Sequence, residues 1–303
     1  MKPIRIGTRN SLLAMWQASE VEQRLKNLRY PTEIIPITSL GDKNLTQPLY
    51  QMNITGVFTR DLDVALLNNE IDIAVHSLKD VPTLLPKKII LSAVLERDYE
   101  SDVLIRSHGT KAQKGIFENL HIGCGSLRRR AFWKAQYPEV TFDDIRGNVQ
   151  TRLRKLESEN FDGTILSLAG IKRLGLSLSY EILDFIIPAP AQGVVAVTSL
   201  ETNQELLGIL SGINHQDTRI CVEIEREFLN ILEGGCTAPI GAIAKIEKDN
   251  IHFRAGVVSL NGTRKVLLDE IFPVSEYRSK GKILAKKAQI LGAVDIIREI
   301  KQP

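Results

Sequence analysis

The feature that most constrains this chain is a recurring unit: a short apolar run, a polar turn, then apolar residues at helical spacing. Ile4-Arg-Ile-Gly7 passes through Thr8-Arg9-Asn10 to Ser11, which can cap a helix to about Leu28 with Leu12, Leu13, Trp16, Val21 and Leu25 inward. A central strand over 71–75 ends in His76-Ser-Leu-Lys79-Asp80-Val-Pro82. Ile122-Gly-Cys-Gly125 precedes Ser126 and a helix carrying Leu127, Ala131, Phe132 and Ala135. A strand over 140–142 leads to Asp143-Asp144-Ile-Arg146-Gly-Asn148 and a helix through Val149, Leu153 and Leu156. A strand over 164–168 leads to Ala-Gly-Ile-Lys172-Arg173. This alternation predicts an α/β chain whose open sheets bind ligands at the carboxyl ends of their strands.

What arrives at those ends is mostly cationic. The chain as a whole carries a net charge of +3, yet from Ser126 to Arg173 ten Lys and Arg outnumber six Asp and Glu. A local excess of this kind implies an acidic ligand: nucleic acid, phosphate or carboxylate. Arg128, Arg129 and Arg130 fall in the first turn of a helix, where cations oppose the dipole, and a bound polyanion would remove the conflict. Arg9 and Ser11 flank another helix amino terminus, a natural anion seat or a plain cap beside a solvated arginine. Lys79 and Asp80 are adjacent charges at a strand end, a reactive pair or a surface pair in a turn stopped by Pro82. Residues 41–56 lack any period and read as a loop long enough for a lid.

The later part of the chain changes style. Ile186-Ile-Pro-Ala-Pro-Ala-Gln-Gly193 reads as a crossover, and a strand over 194–197 as a return to the first sheet. A helix from Thr218 carries Ile220, Ile224, Phe228, Leu229 and Leu232 on one face and stops at Gly234-Gly235. Cys236 follows, ahead of Pro239. A thiol there is projected for reaction, or is simply a small buried residue after a helix cap. Strands over 240–246, 251–260 and 265–271, joined by a Lys-Asp-Asn turn and an Asn261-Gly262 turn, precede a last helix through Leu284, Ala288, Leu291, Val294 and Ile297.

Composition bounds the class. Hydrophobic residues at 43% and charged ones at 25% are those of an ordinary globular protein. No apolar run approaches a membrane span, and the amino terminus lacks the apolar core of a signal peptide, so the cytoplasm is the expected compartment. Cys124, Cys221 and Cys236 are odd in number and widely spaced, against a disulfide framework and against a metal site. Aromatics at 6% are few for stacking on nucleic acid.

Five motifs in order, Val75-His-Ser-Leu-Lys-Asp-Val-Pro82, Ser126-Leu-Arg-Arg129, Arg146-Gly-Asn-Val149 with Thr151-Arg152-Leu153, Ala169-Gly-Ile-Lys-Arg-Leu-Gly-Leu176 and Leu232-Glu-Gly-Gly-Cys-Thr-Ala-Pro-Ile-Gly241, closely resemble the porphobilinogen deaminase (hydroxymethylbilane synthase) family along nearly the whole chain. The resemblance implies two α/β domains like type II periplasmic binding proteins (1–96 with 194–213, and 100–190). A small C-terminal α+β domain with an antiparallel sheet (216–303) would follow. It implies a transferase that joins four porphobilinogen units head to tail, with loss of ammonia, on a dipyrromethane cofactor held by a thioether to Cys236. Asp80 would be the catalytic carboxylate, stabilising the azafulvene-like cation and assisting proton transfer. Arg9, Ser11, Lys79, Ser126, Arg128, Arg129, Arg146, Arg152 and Arg173 would hold the carboxylates of cofactor, substrate and growing polypyrrole chain. No metal, nucleic acid or membrane partner is expected, and the chain is expected to be a monomer.

The sequence departs from the family pattern in places. Cys124-Gly125 stands where two hydroxyl residues are usual, Ile54-Thr55-Gly56 lacks a lysine, Ala191 replaces a glycine, and Thr198-Ser199-Leu200 replaces a Glu-Cys-Arg run. A non-catalytic or impaired paralogue that binds small polycarboxylates is the alternative these substitutions raise.

Overall fold

The computed structural model describes residues 2–38, 56, 58–110, 113–232 and 238–301 of the chain. The lid expected over 41–56 (all but Gly56) and Cys236 therefore lie outside the described residues. The chain divides into two compact units, one of residues up to 98 (except 46–53) with 193–219, the other chiefly of 99–192 and everything from 220 onward.

The first unit opens with β1 (Ile4–Arg9), α1 (Leu12–Asn27), β2 (Thr32–Ile37), α2 (Arg60–Leu67), β3 (Ile73–Ser77) and β4 (Ile89–Val94). The second follows with β5 (Asp102–Arg106), β6 (His121–Gly123), α3 (Leu127–Gln136), β7 (Thr141–Asp143), α4 (Val149–Ser158), β8 (Gly163–Ser167), α5 (Leu168–Arg173) and β9 (Glu181–Ile182). The chain then returns to the first unit as β10 (Val195–Leu200) and α6 (Gln204–Ser211). After α7 (Gln216–Ile231) come β11 (Ile240–Glu247), β12 (Asn250–Val258), β13 (Lys265–Pro273), α8 (Lys280–Ala288) and α9 (Val294–Lys301).

The two larger sheets are copies in topology. One runs β2-β1-β3-β10-β4 and the other β7-β6-β8-β5-β9. In each, three strands are parallel and the fourth position is antiparallel to both its neighbours. Val195–Leu200 joins the first sheet as expected, its first five residues buried like a strand with sheet on both sides. The third sheet, β11-β12-β13, is antiparallel, and Ala242, Ala244, Ile251, Phe253, Ala255 and Val257 cluster with Ile220, Ile224, Phe228 and Leu232 of the α7 segment. Phe228 and Phe253 meet edge to face at 5.4 Å, each fully buried. Gly241 is required here: a Cβ on it would lie 2.6 Å from the Ile187 carbonyl oxygen.

Three expectations are corrected. Leu12 faces outward at 66% exposure, and α1 instead buries Ala14, Gln17, Ala18, Val21 and Leu25. Gln17, a polar residue on the buried face, hid that register from hydropathy. The last helix is interrupted, because Gly292 takes φ 101° and Leu291 turns out to solvent between α8 and α9. The Asn261-Gly262 turn exists, but as a six-residue connection in which Asn261 Oδ1 accepts from Thr263 N and the Ser259 hydroxyl.

The first turn of α2 carries Asp61 and Asp63, which suit the helix dipole. Asp63 is nonetheless 8% exposed, and burial pushes its pKa up to about 6 despite a hydrogen bond with Thr59. A carboxyl whose pKa rises on folding destabilises the fold where it must ionise, above about pH 6, and ceases to do so as pH falls toward its unfolded value. Asp63→Asn is therefore expected to raise stability by ~1–3 kcal/mol at pH 7.5, with the advantage shrinking by pH 4.5. Urea unfolding at the two pH values measures both numbers.

Candidate active site

In the first unit β1 and β3 are adjacent and parallel, so their carboxyl ends share one edge. β1 ends at Arg9, and Ser11 caps α1 by accepting a hydrogen bond from Ala14 N at 3.3 Å. Thr8 ties the same turn by donating its hydroxyl to Ala14 O at 3.0 Å. The Arg9 guanidinium lies over the Phe58 ring at 4.3 Å, a contact that shields one face of the cation. β3 runs directly into a 3₁₀ turn, Leu78–Asp80. Buried Leu78 anchors that turn, its N–H donating to Val194 O at 2.9 Å, while Val81 N closes it onto Leu78 O. Lys79 and Asp80 are thus presented half-buried on a turn with fixed roots.

The same strand end is braced from behind. Gln17 Nε2 donates to Ser77 Oγ at 2.8 Å. His76, 6% exposed, shares a 3.3 Å hydrogen bond between its Nε2 and Thr198 Oγ1 of β10. Burial, aided by the charge of Arg9, pushes the His76 pKa down to about 4. The imidazole is therefore neutral at physiological pH and adds no charge beside Arg9.

In the second unit β7, β6 and β8 are adjacent and parallel, so their carboxyl ends share an edge as well. Ser126 caps α3 through Arg129 N. The arginines behind it lie in the first turn of the helix as expected, but two of them are buried. Arg128 and Arg129 are 6% and 7% exposed, turned inward onto Asp102 of β5, which is fully buried. Asp102 Oδ1 accepts from Arg129 Nε at 3.0 Å and Nη2 at 2.8 Å, and Oδ2 lies 2.7 Å from Arg128 Nη1. Burial opposes the Arg129 charge, but Asp102 outweighs it and holds the pKa above its ordinary value. Arg130 pairs with Asp144 at 2.7 Å and donates to Cys124 O. The dipole conflict that the sequence assigned to a missing polyanion is thus met by the protein's own carboxylates.

The other cations of this edge differ. Arg146 follows β7, its Nη1 buried with no hydrogen-bond acceptor among the described residues. Burial lowers the pKa of its guanidinium, with Asp144 opposing. Asn148 caps α4 through Thr151 N, and Arg152 in its first turn donates Nε to Gly147 O at 3.0 Å. Arg173 closes α5, 8% exposed, at the end where the dipole favours it. The described residues include no group of three or more potential metal ligands and no helix long and apolar enough to cross a membrane.

Known proteins extend this picture. The family description "Porphobilinogen deaminase, dipyromethane cofactor binding domain" matches residues 4–208, and "Porphobilinogen deaminase, C-terminal domain" matches 219–289. A probable porphobilinogen deaminase of Methanocaldococcus jannaschii is 46% identical, over 91% of this chain and 97% of that one. The porphobilinogen deaminase of Syntrophomonas wolfei is 38% identical over the full length of both. The chain belongs to the porphobilinogen deaminase family. Among solved structures, the periplasmic VFT2 domain of Bordetella pertussis BvgS resembles it at 11% identity and a TM-score of 0.43, over 69% of this chain and 86% of that one.

Within this family, the departures seen in the sequence fall on structural positions wherever they are described. Cys124 is buried, its thiol 3.8 Å from Ser126 O, and a Cβ on Gly125 would approach Ile145 O at 3.2 Å. Ala191 accepts φ 62°, its N–H bonded at 2.6 Å to the buried Glu225 carboxylate. Thr198 bonds His76, and Ser199 bonds Ser92 at 2.6 Å. Asp102, Gln192 and the His76–Thr198 pair were not singled out by sequence. An aspartate opening the apolar run Asp102-Val-Leu-Ile105 was the available signal, since a buried carboxylate requires a cation.

An NMR titration should find the His76 ring neutral from pH 8 down to about pH 5, with a midpoint at about 4. A midpoint at 6 or above would contradict the burial and the Arg9 proximity.

Proposed function

We propose that the chain is a hydroxymethylbilane synthase: it condenses four porphobilinogen molecules head to tail, releasing one ammonia each, and hydrolysis frees the linear tetrapyrrole. The observation that carries this reading is Asp80, a carboxylate presented on a rigid turn at a parallel strand end, beside Lys79, in a chain of this family.

A dipyrromethane cofactor fits the residues present. Every pyrrole ring brings an acetate and a propionate, and the buried, acceptor-less Arg146 Nη1 calls for such a carboxylate. When bound through Cys236, the cofactor supplies the pyrrole carbon to which the first unit is joined, and makes each condensation effectively intramolecular. The chain's own residues do the rest. Asp80 takes pyrrole N–H hydrogen bonds and faces the positive charge that develops as ammonia departs from porphobilinogen. As a carboxylate it also receives and returns the proton that moves in each step. Arg9, Ser11 and Lys79 on one edge, and Ser126, Arg128, Arg129, Arg146, Arg152 and Arg173 on the other, hold carboxylates. Arginine suits this role because it stays charged and binds carboxylate bidentately.

Three domains carry these parts: 1–96 with 194–213, 100–190, and 216–303 with the cofactor cysteine. The existence of three separate sheets supports that division. The reading includes a cytoplasmic monomer.

Asp80→Ala should reduce bilane formation by at least about 100-fold, the scale of a lost general acid–base, while leaving the cofactor in place. Intact mass should show the wild-type chain heavier than its sequence by one dipyrromethane and the Cys236→Ser chain at its bare mass. A wild-type chain at bare mass that leaves porphobilinogen unconsumed would favour the non-catalytic alternative.

A further inference from the structure

Asp102 is a fully buried carboxylate at the arginine-rich edge to which the proposed chemistry gives no part. Four protein nitrogens converge on it. Arg129 Nε and Nη2 and Gln192 Nε2 donate to Oδ1 at 3.0, 2.8 and 3.0 Å, and Arg128 Nη1 sits 2.7 Å from Oδ2. Gln192 also bonds Glu100 O at 2.6 Å, so the amide that meets Asp102 is itself held.

The two arginines use the carboxylate differently. All three nitrogens of Arg129 donate within the protein, Nη1 to Ile165 O at 2.8 Å in addition to the two on Asp102. Arg128 commits only Nη1, which also donates to Ile187 O at 2.6 Å. Its Nε and Nη2 have no hydrogen-bond acceptor among the described residues. Two guanidiniums this close repel, and one shared carboxylate leaves the trio with a single net positive charge. A buried ion pair of this kind gives little net stability compared with apolar packing of the same volume. What it gives is orientation: Oδ1 takes Arg129 through two hydrogen bonds, and Oδ2 faces Arg128 Nη1 as an ion pair.

We propose that Asp102 is a positioning residue that holds the Arg128 guanidinium, with Arg129 as its fixed counterpart, in the orientation in which Arg128 binds a carboxylate of the pyrrole chain. This rests on the condensation reading above. Asp102 touches neither substrate nor reacting atoms and acts through Arg128.

The test is Asp102→Asn in the full chain. The amide keeps the volume and one acceptor oxygen, but sets an N–H donor against Arg128 Nη1. With the fold confirmed by circular dichroism and limited proteolysis, KM for porphobilinogen should rise about ten-fold, the scale of one hydrogen bond to a charged group. kcat should change by less than about three-fold, and the fraction of chains carrying the dipyrromethane mass should fall. In an Arg128→Lys background the same substitution should add less than about two-fold, whereas in an Arg152→Lys background it should add its full factor. Equal factors in both backgrounds, or wild-type KM and loading, overturn the proposal.

A second measurement covers a variant that fails to fold. In the cofactor-free Cys236→Ser chain, arginine-detected NMR should show hindered rotation of the Arg128 guanidinium, assigned by its loss in Arg128→Lys. A freely averaging Arg128 signal overturns the proposal even without the Asp102 variant. A wild-type chain lacking both the dipyrromethane mass and ammonia release would instead defeat the condensation reading, and the NMR result would still decide whether Asp102 orients Arg128.

Discussion

Guanidinium groups gathered at one sheet edge repel one another, and the second unit is arranged around that repulsion. Three parallel strands end at that edge with cations in the segments after them, and the proposed ligand, rich in carboxylates, accounts for this. A chain must also fold before the ligand arrives. The charges are therefore met in place: Asp102 from β5 beneath Arg128 and Arg129, and Asp144 beside Arg130. Arg173 sits at a helix carboxyl end, where the dipole offsets its charge. Arg146 keeps a buried Nη1 with no hydrogen-bond acceptor among the described residues. The edge is thus electrostatically graded, its cations met to different degrees within the fold.

The first unit solves a different problem, which is to present one carboxylate without neutralising it. A 3₁₀ turn immediately after β3 does this with few residues, because its apolar first position is buried and its next two positions point away from the core. The neighbouring histidine could have supplied a second charge, but burial against Thr198 keeps it neutral. Rigidity behind the turn comes from Gln17 and Val194, so the carboxylate is held by the sheet and not by its own contacts. A group that must meet a transient cation benefits from being fixed before the charge appears.

Much of this was legible in the sequence. Strand–turn–helix units repeat with polar strand ends, and that pattern places Arg9, Ser11, Lys79, Asp80, Ser126 and Arg146 at or just after strand ends, where the structure also has them, whereas Arg173 closes a helix. The three-strand sheet and its helix followed from period and turn residues. What was not legible shares one physical cause: partners distant in sequence. Asp102 and Arg129 are 27 residues apart, His76 and Thr198 are 122 apart, and no local pattern joins them. The burial of Arg128 and Arg129 on a carboxylate from another strand is likewise invisible to local sequence, since charged side chains are seldom buried. Gln17 misled in the same way, as a polar residue placed on the inner face of α1 to brace β3.

The substitutions that set this chain apart from its family pattern bear on how much of a site is chemistry and how much is frame. Thr198 and Ser199 lie inside β10, and each finds a hydroxyl or imidazole partner on a flanking strand. Ala191 occupies a left-handed conformation that disfavours a side chain, yet the Glu225 carboxylate takes its N–H and, with its other oxygen, the N–H of Ala244 on β11. One buried glutamate therefore fastens the segment at Ala191 to the β11-β12-β13 sheet, offsetting the conformational cost of the missing glycine. Cys124 replaces a hydroxyl with a buried thiol whose carbonyl still receives Arg130. At Thr198, Ser199 and Ala191 the frame absorbs the change within its own hydrogen bonds, and the carboxylate on the β3 turn stands on residues that none of these substitutions replaces, apart from the Thr198 contact behind His76.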